Sequence, residues 1–303
     1  MTEKFKIAAG YILICLIWGS TWLAIRVGLD YLPPLISSGI RFFMGSIFVF
    51  AFMKFARIGL QTDPNSMRLY LILAIFSFVI PFTLVYWAEQ FIPSGLASIV
   101  FAIMPFCVII FSKIAFPNEP VSFNKIFGVI LGFTGIVIIF TENLTLDLSQ
   151  QLFGILAVLV SSAMQAAIGV TIKKYGHHLN PLSMHFVPLF IAGLVLIISA
   201  FLFEDASKWI FNFASISSMV YLAFFGTLVA FTTYYWLLKR MNIVILSLSA
   251  FITPIVAVIL GWVVLNENFS LQTLLGSAFV LIGILFANFR GLINYFNSKS
   301  LTA

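Results

Sequence analysis

Ten long apolar runs constrain this chain more than anything else in it. They are Ile7–Val27, Leu35–Met53, Leu69–Gln90, Gly95–Ser112, Phe127–Phe140, Leu152–Ile172, Leu182–Phe203, Ser217–Leu238, Ile243–Leu265 and Leu271–Phe289. The fifth is the shortest and is expected to begin earlier, near Val121. A helix of about 18 or more mostly apolar residues is long enough to cross a hydrocarbon core of ~30 Å. The composition agrees, with 62% hydrophobic and only 9% charged residues and a mean hydropathy of +1.12. A soluble domain carries about a quarter charged residues, so the expected solvent of this surface is a lipid bilayer.

The first run follows Lys4 and Lys6, as a signal peptide would, but it is too long, contains Arg26 and has no small-residue cleavage pattern. It reads as a retained helix. Cys15 and Cys107 both fall inside apolar runs, which fits buried thiols better than a disulfide framework. The net charge of +6 is explained by where the charges fall. With the N-terminus inside, the cytoplasmic ends collect Lys4, Lys6, Lys54, Arg57, Arg68, Lys113, Lys125, Lys173, Lys174, Lys239, Arg240, Arg290 and Lys299, against Arg26 and Lys208 outside. This is positive-inside topology with both termini cytoplasmic. The basic excess is an orientation signal rather than a nucleic-acid patch.

The chain also repeats itself. Tyr86-Trp87 precedes Pro105 by the interval that separates Tyr235-Trp236 from Pro254, with Ser98 and Ser247 at matching offsets. Glu119, Gly128 and Gly135 are matched in spacing by Glu267, Gly276 and Gly283. Apolar helices align by chance, but Trp, Pro, Glu and Gly in one register do not. The halves are residues 1–145 and 146–303. Each holds five runs, an odd number, so the second half enters the membrane upside down, as an inverted-topology repeat. Related loops then lie on opposite sides, and their charges differ accordingly: Lys239-Arg240 stand where the first half has Gln90-Phe91.

The segments LIWGSTWLAIRVGLDYLPPLISSGIRF (Leu16 to Phe42) and YWAEQFIPSGLASIVFAIMPF (Tyr86 to Phe106), with the proline, glutamate and glycine blocks closing each half, resemble the EamA family of the drug/metabolite transporter superfamily. The resemblance covers essentially the whole chain. It implies an all-α polytopic membrane protein of ten transmembrane helices in two inverted five-helix repeats, exporting a small metabolite or drug across a bacterial inner membrane. One departure matters: small multidrug members use a carboxylate in the first helix for proton exchange, and Ile7–Val27 contains no acidic residue.

Among single residues, Arg41 stands out. It lies seven residues past Pro34, about 10 Å along its helix, where an arginine costs about 2.5–3.5 kcal/mol to insert. It is expected to face the bundle interior and meet an anion, either a substrate carboxylate or Glu89, or to serve a gate. Glu89 is the arginine's partner or, at headgroup level, a solvated end residue. Pro81, Pro105, Pro188 and Pro254 are expected to interrupt helices, because each removes a backbone donor in a place where only protein or water can satisfy the freed carbonyl. Such breaks point to a cavity or to simple curvature.

Trp18, Ser20, Thr21, Tyr86, Gln165 and Tyr235 are candidate cavity residues, alongside close packing and the interfacial aromatic belt as ordinary roles for the same residue types. His185 is a proton relay or an interfacial histidine, with His177 and His178 in the preceding loop. Gly128 and Gly132 form a GxxxG pair that marks either a homodimer face or packing within the bundle. No metal site and no cofactor are expected. The expected function is alternating-access transport of a small neutral or zwitterionic solute such as an amino acid, by a monomer or homodimer. The alternative is an intramembrane lipid-modifying enzyme, which would need clustered Asp, His or Cys, and none of the ten runs contains an Asp.

Overall fold

The structure, a computed structural model, describes residues 3–118, 122–145, 150–176, 178–238, 240–241, 246 and 249–300. Glu119, His177, Lys239 and Ser247 lie outside them, and so does the side chain of Tyr235. Among the described residues the chain is helical throughout, apart from its connections. The helices are α1 (Glu3–Leu29) and α2 (Pro34–Phe55), α3 (Pro64–Ala88) and α4 (Ser94–Ala115), α5 (Phe123–Thr145), α6 (Gln150–Tyr175) and α7 (Ser183–Phe203). Then follow α8, in three segments (Phe213–Ala223, Phe224–Val229 and Ala230–Leu238), α9 (Ser249–Leu265) and α10 (Leu271–Ser300). Eight of them are long and apolar enough to cross a membrane, and Phe123–Ile139 and Ser249–Leu265 are shorter apolar helices.

Side chains explain the helix starts. Asp63 caps α3 by accepting from the Ser66 N–H at 3.1 Å, with Pro64 behind it. Asn212 and Ser215 form a reciprocal capping box on α8. Pro33 and Pro93, which precede α2 and α4, have no capping side chain. Remote carboxylates take over. Glu204, just past α7, accepts from Leu35 N at 2.6 Å and Ile36 N at 3.0 Å. Glu267, after α9, accepts from Ser94 N and Ser94 Oγ at 2.7 Å and from Gly95 N at 3.0 Å. A carboxylate at a helix N-terminus satisfies orphan donors and complements the helix dipole. These two caps fasten one end of the bundle. The turn that brings Glu267 back places Asn266 at φ 53°, in the left-handed region that asparagine tolerates.

Large apolar side chains cover the outside, among them Phe55, Phe203 and Phe213, while the inter-helix contacts use small residues. Lipid tails are as apolar as leucine, so close packing and not the hydrophobic effect joins helices in a membrane. The α5–α10 pair is the clearest case. A Cβ on Gly128 would stand 2.5 Å from the Gly283 carbonyl oxygen, and Gly135 and Gly276 meet in the same way, backbone on backbone. Gly132 faces the Phe106 ring of α4. The GxxxG pair therefore packs inside this chain.

The prolines act unequally. Before Pro81, residues Ala74–Val79 of α3 form a π-helical turn. At Pro105, α4 divides into Ser94–Phe101 and Met104–Ala115. The expected breaks at Pro188 and Pro254 do not occur, since both sit inside continuous helices. Both helices are closely packed: a Cβ on Gly193 of α7 would stand 2.6 Å from Phe43 N of α2, and one on Gly19 of α1 would stand 2.5 Å from Val256 of α9. The second π-helical turn, Phe224–Val229 in α8, contains no proline.

Candidate functional site

Arg41 is buried in α2, 6% exposed. Its Nη1 donates to the Tyr86 hydroxyl at 3.2 Å, and its guanidinium lies 5.5 Å from the centre of the Phe42 ring and 5.3 Å from that of Phe82. Its Nε has no hydrogen-bond partner. The expected ion pair with Glu89 is not formed. Both Glu89 oxygens lack a hydrogen-bond partner, and among the described residues Arg41 has no carboxylate within ion-pair distance. Aromatic faces and a phenol oxygen stabilise the cation instead, with each cation–π contact contributing on the order of 1 kcal/mol.

Thr21 comes close to this arginine across α8, and Ser20 and Trp18 pack on α8 as well. A Cβ on Gly226, in the π turn of α8, would lie 3.0 Å from the Thr21 methyl and 3.8 Å from Arg41 Nη2. Ser20 shares a 2.6 Å hydrogen bond with the Tyr221 hydroxyl, and Thr21 donates to its own helix at Trp18 O. Trp18 packs on Phe231 and Tyr234 at centroid distances of 5.7 and 5.4 Å. Gln165 lies elsewhere, against the π turn of α3: its Nε2 donates to Ser77 O at 2.7 Å and its Oε1 accepts from Ser77 Oγ at 2.9 Å. Pro81 has no N–H to offer the carbonyl four residues back, which is Ser77. Gln165 replaces that donor.

A cavity of about 410 Å³ opens between α3, α6 and α7, lined by Leu73, Ser77, Phe78, Lys173, Met184 and His185 among others. Its mouth is at the opposite end of the bundle from the Glu204 and Glu267 caps. His185 bonds through Nδ1 to Pro181 O at 2.9 Å and packs on Phe231 and Phe78 at 4.2 and 6.2 Å between centroids. Phe78 in turn meets Phe42 and Phe82. One aromatic layer therefore separates the cavity from Arg41. Ser77, Tyr221, Gly226 and the two π turns were not among the residues singled out from sequence. The signal available for Ser77 was its position four residues before a proline in a membrane-length helix.

At the helix ends, charge follows its surroundings. Hydrogen bonds from Ser66 hold Asp63 below the usual carboxylate range, and those from Ser207 do the same for Asp205. Burial pushes Glu204 up, against the pull of the Leu35 and Ile36 N–H groups. Among the described residues, no group of three or more His, Cys, Asp or Glu is placed to hold a metal ion.

The model of the EamA-like transporter family matches residues 6–141 and again 152–289. The chain belongs to that family. It is 28% identical to the uncharacterized transporter YoaV of Bacillus subtilis (strain 168), over 94% of this chain and 97% of that one. It is 29% identical to protein PagO of Salmonella typhimurium, over 93% and 92%. It is 28% identical to the uncharacterized inner membrane transporter YedA of Escherichia coli (strain K12), over 81% and 78%. One crystal structure, 19% identical, superposes with a TM-score of 0.67 over 93% of this chain and 96% of its own, and has the same fold. Family and relatives make this a membrane transporter rather than an enzyme.

Proposed function

We propose that this EamA-family protein carries a small solute with an anionic end, such as a zwitterionic amino acid, outward across a bacterial inner membrane by alternating access. The observation that carries the reading is Arg41, a buried cation with no carboxylate partner among the described residues and an Nε without a hydrogen-bond partner, one aromatic layer from an open cavity. A substrate carboxylate supplies the missing acceptor, and Phe78 and Phe82 form the layer it passes. Membrane-buried charges of this kind mark substrate pathways.

Three observations support the reading of ten crossings in two inverted halves, residues 1–145 and 146–303. The family model matches twice. The two π turns, Ala74–Val79 and Phe224–Val229, fall at corresponding positions of the halves. The glycine contacts are reciprocal: Gly128 and Gly135 have Gly276 and Gly283 as their repeat mates, and Gly128 packs on Gly283 while Gly135 packs on Gly276. Such a cross pattern is what a two-fold axis between antiparallel helices produces. Inner-membrane placement is supported by YedA, and cytoplasmic termini by the positive-inside bias.

The test compares culture medium and cell extracts from cells expressing wild type or Arg41→Ala at matched membrane levels. Arg41→Ala still inserts, since it removes an insertion cost of about 2.5–3.5 kcal/mol. It is expected to lose the compound that wild type enriches in the medium. Full enrichment with Arg41→Ala overturns the role of Arg41, and depletion of the medium by wild type overturns the outward direction.

A further inference from the structure

Glu204, Glu267 and Glu89 share the capped end of the bundle, and their surroundings differ. Glu204 and Glu267 stand at helix N-termini and accept backbone N–H groups, a setting that suits an ionised carboxylate. Glu89 stands at the opposite kind of helix end, the C-terminal cap of α3, where the helix dipole is negative and offers carbonyls rather than donors. It is 0% exposed and neither oxygen has a hydrogen-bond partner.

The charged groups that face Glu89 do not neutralise it. Those in electrostatic range are Glu267 after α9, Arg26 of α1 and Arg41 of α2, with Tyr86 one turn back on α3 itself. Arg26 is partly exposed and faces Asp30 at 3.8 Å. Arg41 is engaged with Tyr86 and two rings. Glu267 adds a like charge. The other neighbours, α4 and α6, carry no charged residue between Ser94 and Ser112 or between Gln150 and Ile172. An ionised carboxylate left without partners in such a place is strongly unfavourable, and the simplest relief is a bound cation, of which the proton is the smallest.

We propose that Glu89 is a proton-binding site of the transport cycle, filled while the Glu204 and Glu267 caps close this end and emptied when the opposite conformation admits water. The step is carboxylate plus proton to carboxyl and back, with the proton taken from and returned to water. Its consequence, solute flux that depends on a proton gradient, rests on the transport reading. The protonation itself does not.

The test needs no substrate. Wild-type protein in native membranes is treated with dicyclohexylcarbodiimide, which modifies protonated carboxyls in apolar surroundings, and the adduct is located by mass spectrometry. Glu89 is expected to be labelled at neutral pH and faster than Glu204, whose oxygens are occupied by two backbone N–H groups. The rate is expected to fall by about tenfold per pH unit above its midpoint and to recover when the pH is returned. Glu89→Gln, which keeps the shape of the protonated acid, is expected to match the neutral-pH Tm of wild type and to abolish the Tm loss that wild type shows at alkaline pH.

A folded protein whose Glu89 stays unlabelled, while the denatured chain is labelled, overturns the site. Labelling that does not respond to pH shows a locked structural carboxyl and overturns the cycle. Protection by sodium chloride over choline chloride at fixed pH replaces the proton with a metal cation. A Glu89→Gln protein with a Tm far below wild type at neutral pH shows that the glutamate is needed ionised.

Discussion

Gln165 shows how one side chain decides whether a backbone defect is tolerable in lipid. Pro81 leaves the Ser77 carbonyl without its helical donor, and Gln165 Nε2 supplies one at 2.7 Å while its Oε1 accepts the Ser77 hydroxyl. Gln165→Leu keeps the bulk and removes both bonds. A buried polar group left unsatisfied costs about 1–3 kcal/mol. The purified variant is therefore expected to melt below wild type, and Gln165→Glu to melt between the two at a pH low enough to protonate it. Equal Tm values for Gln165→Leu and wild type would show that water or relaxation fills the gap. Residue types forecast this scale only in part. A mid-helix arginine announces burial by its cost, so Arg41 was legible. Its partner was not, because Glu89 and Tyr86 lie three residues apart on α3 and only the rotation of that helix, altered by the π turn, decides which one the guanidinium meets.

At the scale of elements, glycine spacing is the part that the sequence wrote plainly, and its use within α5 and α10 is what it left open. Gly128 and Gly135 stand against backbone, at Gly283 and Gly276, whereas Gly132 stands against the Phe106 side chain. The distinction has a consequence for double mutants. Gly135→Ala pushes two rigid backbones apart, and no side-chain substitution relieves it. Gly132→Ala clashes with a ring that a smaller residue removes, so Gly132→Ala with Phe106→Leu is expected to recover part of the Tm lost by Gly132→Ala alone. The coupling expected between contacting residues is about 0.5–3 kcal/mol. Strict additivity of the two single changes would mean that α4 does not press on α5 at this point. Spans and their order were readable because hydropathy and length set them. The π turns were not readable, since Phe224–Val229 carries no proline or other local marker. The continuity of α7 and α9 through Pro188 and Pro254 was likewise not readable from the sequence.

For the molecule as a whole, the two ends differ in kind. One is fastened by carboxylates that reach across from the ends of α7 and α9 to the N-termini of α2 and α4. At the other, the links among the described residues include the Arg240–Glu3 ion pair at 3.3 Å, Ser183 Oγ to Gly59 O at 3.4 Å and Ser66 Oγ to His178 Nε2 at 3.3 Å, and the cavity opens there. On the proposed alternating-access cycle, this asymmetry reverses. On that cycle, the Glu204 and Glu267 caps help hold the conformation seen here. Met184 lines the cavity and suits a reporter cysteine in a background with Cys15→Ser and Cys107→Ala, while Tyr175→Cys, exposed at the same end, reports that end's side of the membrane. A membrane-impermeant maleimide is expected to label both cysteines from one and the same side. Changing Glu204 and Glu267 to Gln removes the charge that strengthens their hydrogen bonds and is expected to slow labelling at Met184→Cys severalfold, with Tyr175→Cys unaffected, as the population moves toward the opposite opening. Unchanged labelling after both caps are weakened would mean that helix packing, not the caps, holds that end shut.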